Sequence, residues 1–215
     1  GYYKKNYLKP SYNDSLDDYN RKNETGFESW AQLSLSRRYP ASASAQTRAD
    51  WEDFVRKNLA LEWIRLDESA APLYREMLRY KHSDIATLNR RYADSKYASF
   101  DEVPFPHTAP SVGMARSDFN AFIQGYLEPL NNKLYIAPLQ SIELCGLDFA
   151  YEDWILGQYG EVAAAAKALG TDWRSNTDIR MPQLDVHRAY FQEHIRDLRW
   201  EFVTRNYKTV ADYML

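Results

Sequence analysis

The sequence predicts an all-α chain, mainly helical and built from imperfect repeats of about 70 residues, each two helices plus a short extended or turn segment. Two observations predict it. A polar–aromatic motif occurs three times at near-constant offsets, and apolar residues downstream of an aspartate recur at helical steps. Self-similarity of this kind marks units that cannot bury their apolar faces alone and so stack on their neighbours.

The motif runs from Thr25 to Leu35 (TGFESWAQLSL), Ser95 to Phe105 (SKYASFDEVPF) and Thr171 to Met181 (TDWRSNTDIRM), at offsets of 70 and then 76 residues. Each copy opens on a hydroxyl residue, carries an aromatic two positions later (Phe27, Tyr97, Trp173) and a serine two after that (Ser29, Ser99, Ser175). Each ends on apolar residues two apart: Leu33 and Leu35, Val103 and Phe105, Ile179 and Met181. The hydroxyls are expected to bond backbone in turns. Phe27, Tyr97 and Trp173 are expected to plug gaps between helices as core residues rather than to touch a ligand.

Just downstream, Asp50-Trp51-x-x-Phe54-Val55, Asp118-Phe119-x-x-Phe122-Ile123 and Asp185-Val186-x-x-Ala189-Tyr190 share one pattern, at offsets of 68 and 67. An aspartate ahead of apolar residues at helical spacing predicts a helix start, because its carboxylate caps free backbone N–H groups. Trp51, Val55, Leu59 and Trp63 follow at steps of four, and Phe191, Ile195, Leu198 and Phe202 at steps of four, three and four. Both stretches read as amphipathic helix faces.

A second helix in each unit is expected to close around Tyr80 with Ile85 and Leu88-Asn89, Tyr159 with Val162, and Tyr207 with Val210. Leu16, Tyr19 and Asn20 precede Ile85, Leu88 and Asn89 by 69 residues throughout. The expected organisation is one domain: a half repeat over 1–40, repeats over 50–106 and 117–182, and a half repeat over 185–215. Extra residues from Asn131 to Leu144, with Pro129 and Pro138, predict a loop or kink there.

Composition narrows the function. With 215 residues, 45% hydrophobic and 27% charged, the chain reads as a soluble globular protein able to bury a real core. Lys+Arg at 27 against Asp+Glu at 30 leaves a net charge of -3, without the basic field that phosphate backbones select, so nucleic acid is not an expected partner. Cys145 is the one cysteine and forms no internal disulfide. No apolar run approaches the roughly 18 residues of a membrane span, and no signal peptide opens the chain. Gly1 reads as a residue left by tag removal, and the parent chain is expected to be longer. Aromatic residues reach 15%, and their regular spacing favours packing over sugar stacking.

Catalytic chemistry is not expected. The adjacent acids Asp17-Asp18, Glu52-Asp53, Asp67-Glu68, Asp101-Glu102 and Glu152-Asp153 read as solvated helix faces rather than a glycosidase pair. His82, His107, His187 and His194 form no zinc-ligand spacing; His187 and His194, seven apart, read as one helix face with a surface or packing role. There is no nucleophile elbow, and 8 glycines leave little for a phosphate cradle. The sequons at Asn13 and Asn23 are too short a signal to carry meaning.

Two family resemblances enter here. Tyr74 to Pro106 (YREMLRYKHSDIATLNRRYADSKYASFDEVPFP) resembles a segment of family 42 glycoside hydrolases, where a helix reading roughly Y-x-I-x-x-L-N leads into an aromatic–Ser–aromatic stretch and a proline. That segment brings no catalytic acid with it. More of the chain resembles a large extracytoplasmic insertion between two membrane helices in some bacterial ABC permeases of the carbohydrate-uptake type. Arg199 to Leu215 (RWEFVTRNYKTVADYML) is similar to the stretch leading into the next membrane helix there, where N-Y-x-x-V recurs. Tyr2-Tyr3-Lys4-Lys5-Asn6-Tyr7 suits a chain leaving the bilayer, since Tyr and Lys favour that interface.

The permease resemblance implies a parent chain embedded in the inner membrane, with this domain on the periplasmic side. It implies no cofactor, no metal and no catalytic residue of its own, and partners in a solute-binding protein and the other transporter subunits. Maltose-type permeases carry a differently folded outer domain, so no substrate-binding or contact residue is carried over. The alternative is an accessory or carbohydrate-binding domain of a glycoside hydrolase, with Trp30, Trp63, Trp154 and Trp200 as stacking candidates.

Overall fold

The computed structural model describes residues 2–93, 95–181, 193–206, 208, 210 and 211. The chain divides into two compact units, Gly1–Leu144 and Cys145–Leu215.

The first unit opens with a π-helix, Tyr3–Leu8, that runs into α1 (Lys9–Ser11). Then come α2 (Leu16–Asn23) and α3 (Ala45–Lys57), begun by Ser15 and Ser44, whose hydroxyls accept from the N–H groups of Asp18 and Thr47 at 3.1 Å. A serine oxygen at this position satisfies a donor that the helix itself leaves free. Strand β1 (Ile64–Leu66) follows a 3-10 turn, Leu61–Trp63. Next are α4 (Ala71–His82), α5 (Ile85–Arg91, capped by Asp84) and α6 (Gly113–Gln124). A hairpin of β2 (Tyr126–Leu127) and β3 (Leu134–Tyr135), a 3-10 turn Leu139–Ser141 and β4 (Ile142–Leu144) complete the unit.

The all-α expectation is therefore corrected in part: the chain is mostly helical, but two small two-stranded sheets are present. One of them joins distant parts of the unit. β1 and β4 pair antiparallel, Ile64 with Leu144, Arg65 with Glu143 and Leu66 with Ile142. The sequence has the right alternation for this, aliphatic side chains inward and one charged side chain outward on each strand. Each strand also borrows a neighbour. Leu66 N–H donates to the His107 carbonyl at 2.7 Å, and Leu144 N–H donates to the Arg37 carbonyl at 2.8 Å. One outward row across β1, β4 and the two bridged residues thus reads Arg38, Glu143, Arg65, Thr108.

The core of this unit lies along α3 and α6, which bury the same set of positions: Trp51, Phe54 and Val55 on one, Phe119, Phe122 and Ile123 on the other. Burial of each such side chain stabilises the unit by about 1.5–3 kcal/mol. Phe54 meets Tyr3 at 4.7 Å between ring centroids, and Phe122 meets Tyr74 at 5.3 Å.

The second unit holds α7 (Leu147–Tyr159), α8 (Val162–Leu169), a 3-10 turn Asn176–Asp178 and α9 (Glu193–Arg205). Its core gathers Tyr151, Ile155, Ala165, Leu169, Ile179 and Phe202, with Trp173 packed against it. Phe202 meets Tyr151 edge-on at 5.2 Å.

Three further expectations change. Asp50 and Asp118 do not start helices: α3 begins at Ala45 and α6 at Gly113, so both acids sit inside a helix and are buried. Their carboxylates bond neighbouring side chains instead of free N–H groups. The helix expected to run through Leu59 and Trp63 stops at Lys57, because Ile64 to Leu66 leave it to pair with β4. The region from Asn131 to Leu144 holds β3, a 3-10 turn and β4. Asp185, Val186, Ala189, Tyr190, Phe191 and Tyr207 lie outside the described residues, as does the side chain of Ile195.

Candidate functional site

The constellation that most resembles catalytic machinery centres on Asp118, on the second turn of α6. His82 Nε2 lies 2.7 Å from its Oδ2, Tyr92 OH donates to the same oxygen at 2.8 Å, and Lys81 Nζ stands 2.8 Å from Oδ1. Arg91 approaches His82 Nδ1 at 3.3 Å. A guanidinium only donates, so Nδ1 accepts and Nε2 carries the hydrogen given to Asp118. Burial pushes the Asp118 carboxyl up, but the donors His82, Lys81 and Tyr92 together outweigh it and hold it below the usual carboxylate range. Burial, with Tyr74 and Asp118 alongside, pushes the Tyr92 hydroxyl well above its ordinary value. The side chains of His82 and Asp118 have no solvent exposure at all. Geometry alone would suit proton transfer, yet a reactant has no access to these atoms. What the arrangement does is tie three helices together at their ends.

Asp50 is the centre of a second buried network in the same unit. Asp50, on α3, accepts from Tyr12 OH and from Gln46 Nε2 at 2.9 Å. Asn23 Nδ2 donates to Tyr12 OH at 2.8 Å, and Thr47 Oγ1 donates to Asn23 Oδ1 at 2.8 Å. Tyr12 follows α1 as His82 ends α4, and Asn23 ends α2 as Tyr92 follows α5. Burial and the Asp50 bond raise the Tyr12 hydroxyl far above its ordinary value. In both places an aspartate accepts from a group at the end of an earlier helix; Asp118 also accepts from Tyr92 after a second one, whereas Asp50 reaches the end of α2 only through Tyr12, to which Asn23 donates.

The polar–aromatic segments are also turns with a built-in brace. Asn20 holds Phe27 at both main-chain groups, accepting from its N–H at 3.0 Å and donating to its carbonyl at 2.8 Å. Asn89 does the same for Tyr97, at 3.2 and 2.9 Å. The next turn is a 3-10 segment whose third residue reaches back: Gln32 accepts from Glu28 N–H at 2.7 Å, Glu102 from Ala98 N–H at 2.9 Å, and Asp178 from Arg174 N–H at 2.8 Å. Phe27, Tyr97 and Trp173 are half-buried rather than fully interior, while Leu33, Val103 and Ile179 are buried. Phe27 and Tyr97 lie on the shoulder of the core because the asparagine brace fixes their main chain at the surface, while Ala166 precedes Trp173 where Asn20 precedes Phe27.

Most residues singled out in the sequence hold helix ends or ion pairs. Glu52 bonds Arg56 and Asp53 bonds Lys57, both at i,i+4; Asp101 pairs with Arg79; Asp67 caps the turn before α4. His107 meets Glu68 at 3.1 Å on the surface. Glu152 departs from the solvated-face expectation: it is buried and accepts from Asn176 Nδ2 at 3.1 Å. His187 and the side chain of His194 lie outside the described residues. Among the described residues, no three His, Cys, Asp or Glu gather as metal ligands, and no helix is long and apolar enough to cross a membrane. Trp30, Trp63 and Trp154 are half-buried, whereas Trp200 is exposed.

Two features escaped the sequence reading. Ala60 to Leu66 (ALEWIRL) and Pro138 to Leu144 (PLQSIEL) share Leu, an acid or its amide, Ile and Leu at an offset of 78, and each forms a 3-10 turn and a strand. A shift-by-shift self-comparison would have found it. The second feature is an apolar hairpin, β2–β3, whose short strands give too weak a periodic signal. No family model, no curated protein and no solved structure matches the chain.

Proposed function

We propose that the chain is an array of three copies of one helical unit, over 3–66, 71–144 and 147–205, and that it serves as a non-catalytic docking domain. In this reading it is the extracytoplasmic part of a bacterial ABC importer permease for carbohydrates, receiving a solute-binding protein or bracing the mouth of the transporter. ATP hydrolysis and translocation belong to other subunits and to membrane helices of the parent chain. The unit is a first helix ending in Tyr12, His82 or Tyr159, a short second helix, a braced turn and a long third helix. Three ring pairs of like placement support it: Tyr3 on Phe54, Tyr74 on Phe122 and Tyr151 on Phe202.

The observation that carries the docking reading is the pair of aspartate ties. A buried acid with His and Tyr in one copy and Tyr, Gln and Asn in another is explained by helix packing, which tolerates such exchange, and not by chemistry on a substrate, which does not. The permease assignment itself rests on the resemblance of Arg199 to Leu215 and of the Tyr- and Lys-rich opening. Docking of this kind uses a moderate, partly polar surface.

The test is biolayer interferometry of the immobilised chain against the solute-binding proteins encoded beside its parent gene, each with and without sugar. Saturable binding that depends on sugar loading is the expected result. The carbohydrate-binding alternative draws on the exposure of Trp200 and Tyr80. Heats of oligosaccharide binding to the isolated chain in calorimetry, with no response to any solute-binding protein, would replace the docking reading with that one.

A further inference from the structure

Among the described residues, seven large apolar side chains are exposed, and four of them, Tyr80, Leu127, Leu130 and Leu134, lie on or against the β2–β3 hairpin. The hairpin is the part of the first unit with no counterpart in its other half. Asn58 to Ala60 suffice between α3 and its 3-10 turn, whereas 125–138 intervene between α6 and the equivalent turn.

Its construction separates two faces. Tyr126 pairs with Tyr135, which is buried, and Tyr80 packs on Tyr135 at 5.6 Å. Leu127 pairs with Leu134 on the opposite face, both more than half exposed, and Leu130 at the tip is 93% exposed. The shape is fixed. Gly125 turns the chain out of α6 at φ +105°, where a side chain would also meet Leu134 Cδ1 at 3.2 Å. Glu128 is buried, accepting from Tyr126 OH at 2.9 Å and from Leu130 N–H at 3.2 Å. A carboxylate is thus spent on holding the tip while the leucines are left in water.

The charge pattern selects the occupant. Between Gly125 and Tyr135 the charged residues are Glu128, which is buried, and Lys133, whose ammonium meets Glu76 at 2.6 Å. The exposed surface of the hairpin therefore offers no carboxylate of its own to repel anionic headgroups, and its one exposed charge is positive. Lys133 stands opposite Glu128, on the tip side of the Leu127–Leu134 pair and on the other face. From tip to base the leucine face presents Leu130 and then Leu127 with Leu134, while the exposed Tyr80 lies against Tyr135 at the base. A wedge of leucines backed by an exposed tyrosine suits entry into the outer part of a bilayer, hydrocarbon first and interface second.

We propose that the β2–β3 hairpin inserts Leu127, Leu130 and Leu134 into the surface of a lipid bilayer. The contact goes beyond the docking reading and does not depend on it. Glu76 neutralises most of the Lys133 charge, so leucine burial supplies the affinity and added salt weakens it little.

The test is flotation of the full chain with vesicles of mixed phosphatidylcholine and phosphatidylglycerol. The chain is expected to float, Leu130→Ser to lower the vesicle affinity about tenfold, and Leu127→Ser with Leu134→Ser to lower it further. These leucines face water, so far-UV circular dichroism of the variants should match the parent. A second variant, Leu130→Trp, reports directly, and its emission should shift to the blue when vesicles are added. Absence of flotation, flotation unchanged by the leucine substitutions, or an unshifted Leu130→Trp spectrum would overturn the proposal. So would leucine-dependent dimerisation without lipid binding. The assay contains no solute-binding protein, so its failure leaves the docking reading standing, and the reverse holds too.

Discussion

Replacing Asp118 by asparagine tests what the buried acid is for. Its Oδ2 accepts from His82 and Tyr92, and its Oδ1 faces the Lys81 ammonium. An asparagine keeps an oxygen for the first two donors but turns its NH2 group on Lys81, placing donor against donor. Breaking a fully buried charge pair costs about 3–5 kcal/mol. The Lys81 side chain is 20% exposed and can turn to water, which lowers the cost. The bonds to His82 and Tyr92 also weaken when their acceptor loses its charge, by a fraction of the roughly 1.5–3 kcal/mol typical of charged hydrogen bonds. Asp118→Asn should therefore destabilise the first unit by about 2–3 kcal/mol, and Asp118→Ala by about 4 kcal/mol, since it orphans all three donors. The assay is urea unfolding followed by circular dichroism and tryptophan fluorescence, comparing midpoints at constant slope. A loss below about 1 kcal/mol for Asp118→Ala would refute the view that this cluster holds the helices together.

Two further outcomes follow from the same geometry. Arg56→Met should cost about 2–4 kcal/mol by urea titration, because the buried guanidinium bonds the Ile123 and Ala137 carbonyls at 2.6 and 2.9 Å and Glu52 at 2.7 Å; Arg56→Lys should not restore it, since one ammonium cannot serve both carbonyls in that fork. Acid should unfold the first unit as well. The Asp118 carboxyl is held below its unfolded value of about 3.9, so its contribution is complete above that pH and is lost as pH falls through the lower, folded value; Asp118→Asn should flatten the acid limb of a stability–pH curve, and an unchanged limb would contradict the assigned donors.

How much of this was legible in the residues depends on the range of the interaction. The helices over Trp51 to Val55 and Phe119 to Ile123 showed as apolar steps because their burial follows helical periodicity. The triple turn showed because its brace is local: Asn20 reaches only as far as Phe27, and Gln32 only as far as Glu28. The function of Asp50 and Asp118 was misread because an acid before apolar residues looks the same at a helix start and in its second turn. What separates them is Ser44 six residues earlier and the distant partners Tyr12 and His82. The β1–β4 pair was invisible to a helix-period scan, since three residues pair with three others far along the chain, Ile64 with Leu144 and Leu66 with Ile142, and strand identity comes from the partner. The hairpin tip was seen only as a loop, because the burial of Glu128 is a tertiary fact.

The sharpest test of the three-copy unit is a transplant. In the third turn Ala166 stands where Asn20 and Asn89 stand in the others: Thr171 N–H donates to its carbonyl at 3.0 Å, as Thr25 N–H does to that of Asn20. Thr25 Oγ1 donates to Asn20 Oδ1 at 2.8 Å, whereas Thr171 Oγ1 is buried with no hydrogen-bond partner among the described residues. Ala166→Asn should give that hydroxyl an acceptor and brace the main chain of Trp173. It offsets a helix-propensity cost of about 0.7 kcal/mol and leaves a net gain of about 1 kcal/mol, with slower amide exchange at Trp173. A loss of stability with Trp173 exchange unchanged would mean that the third turn is not the same structure as the first two.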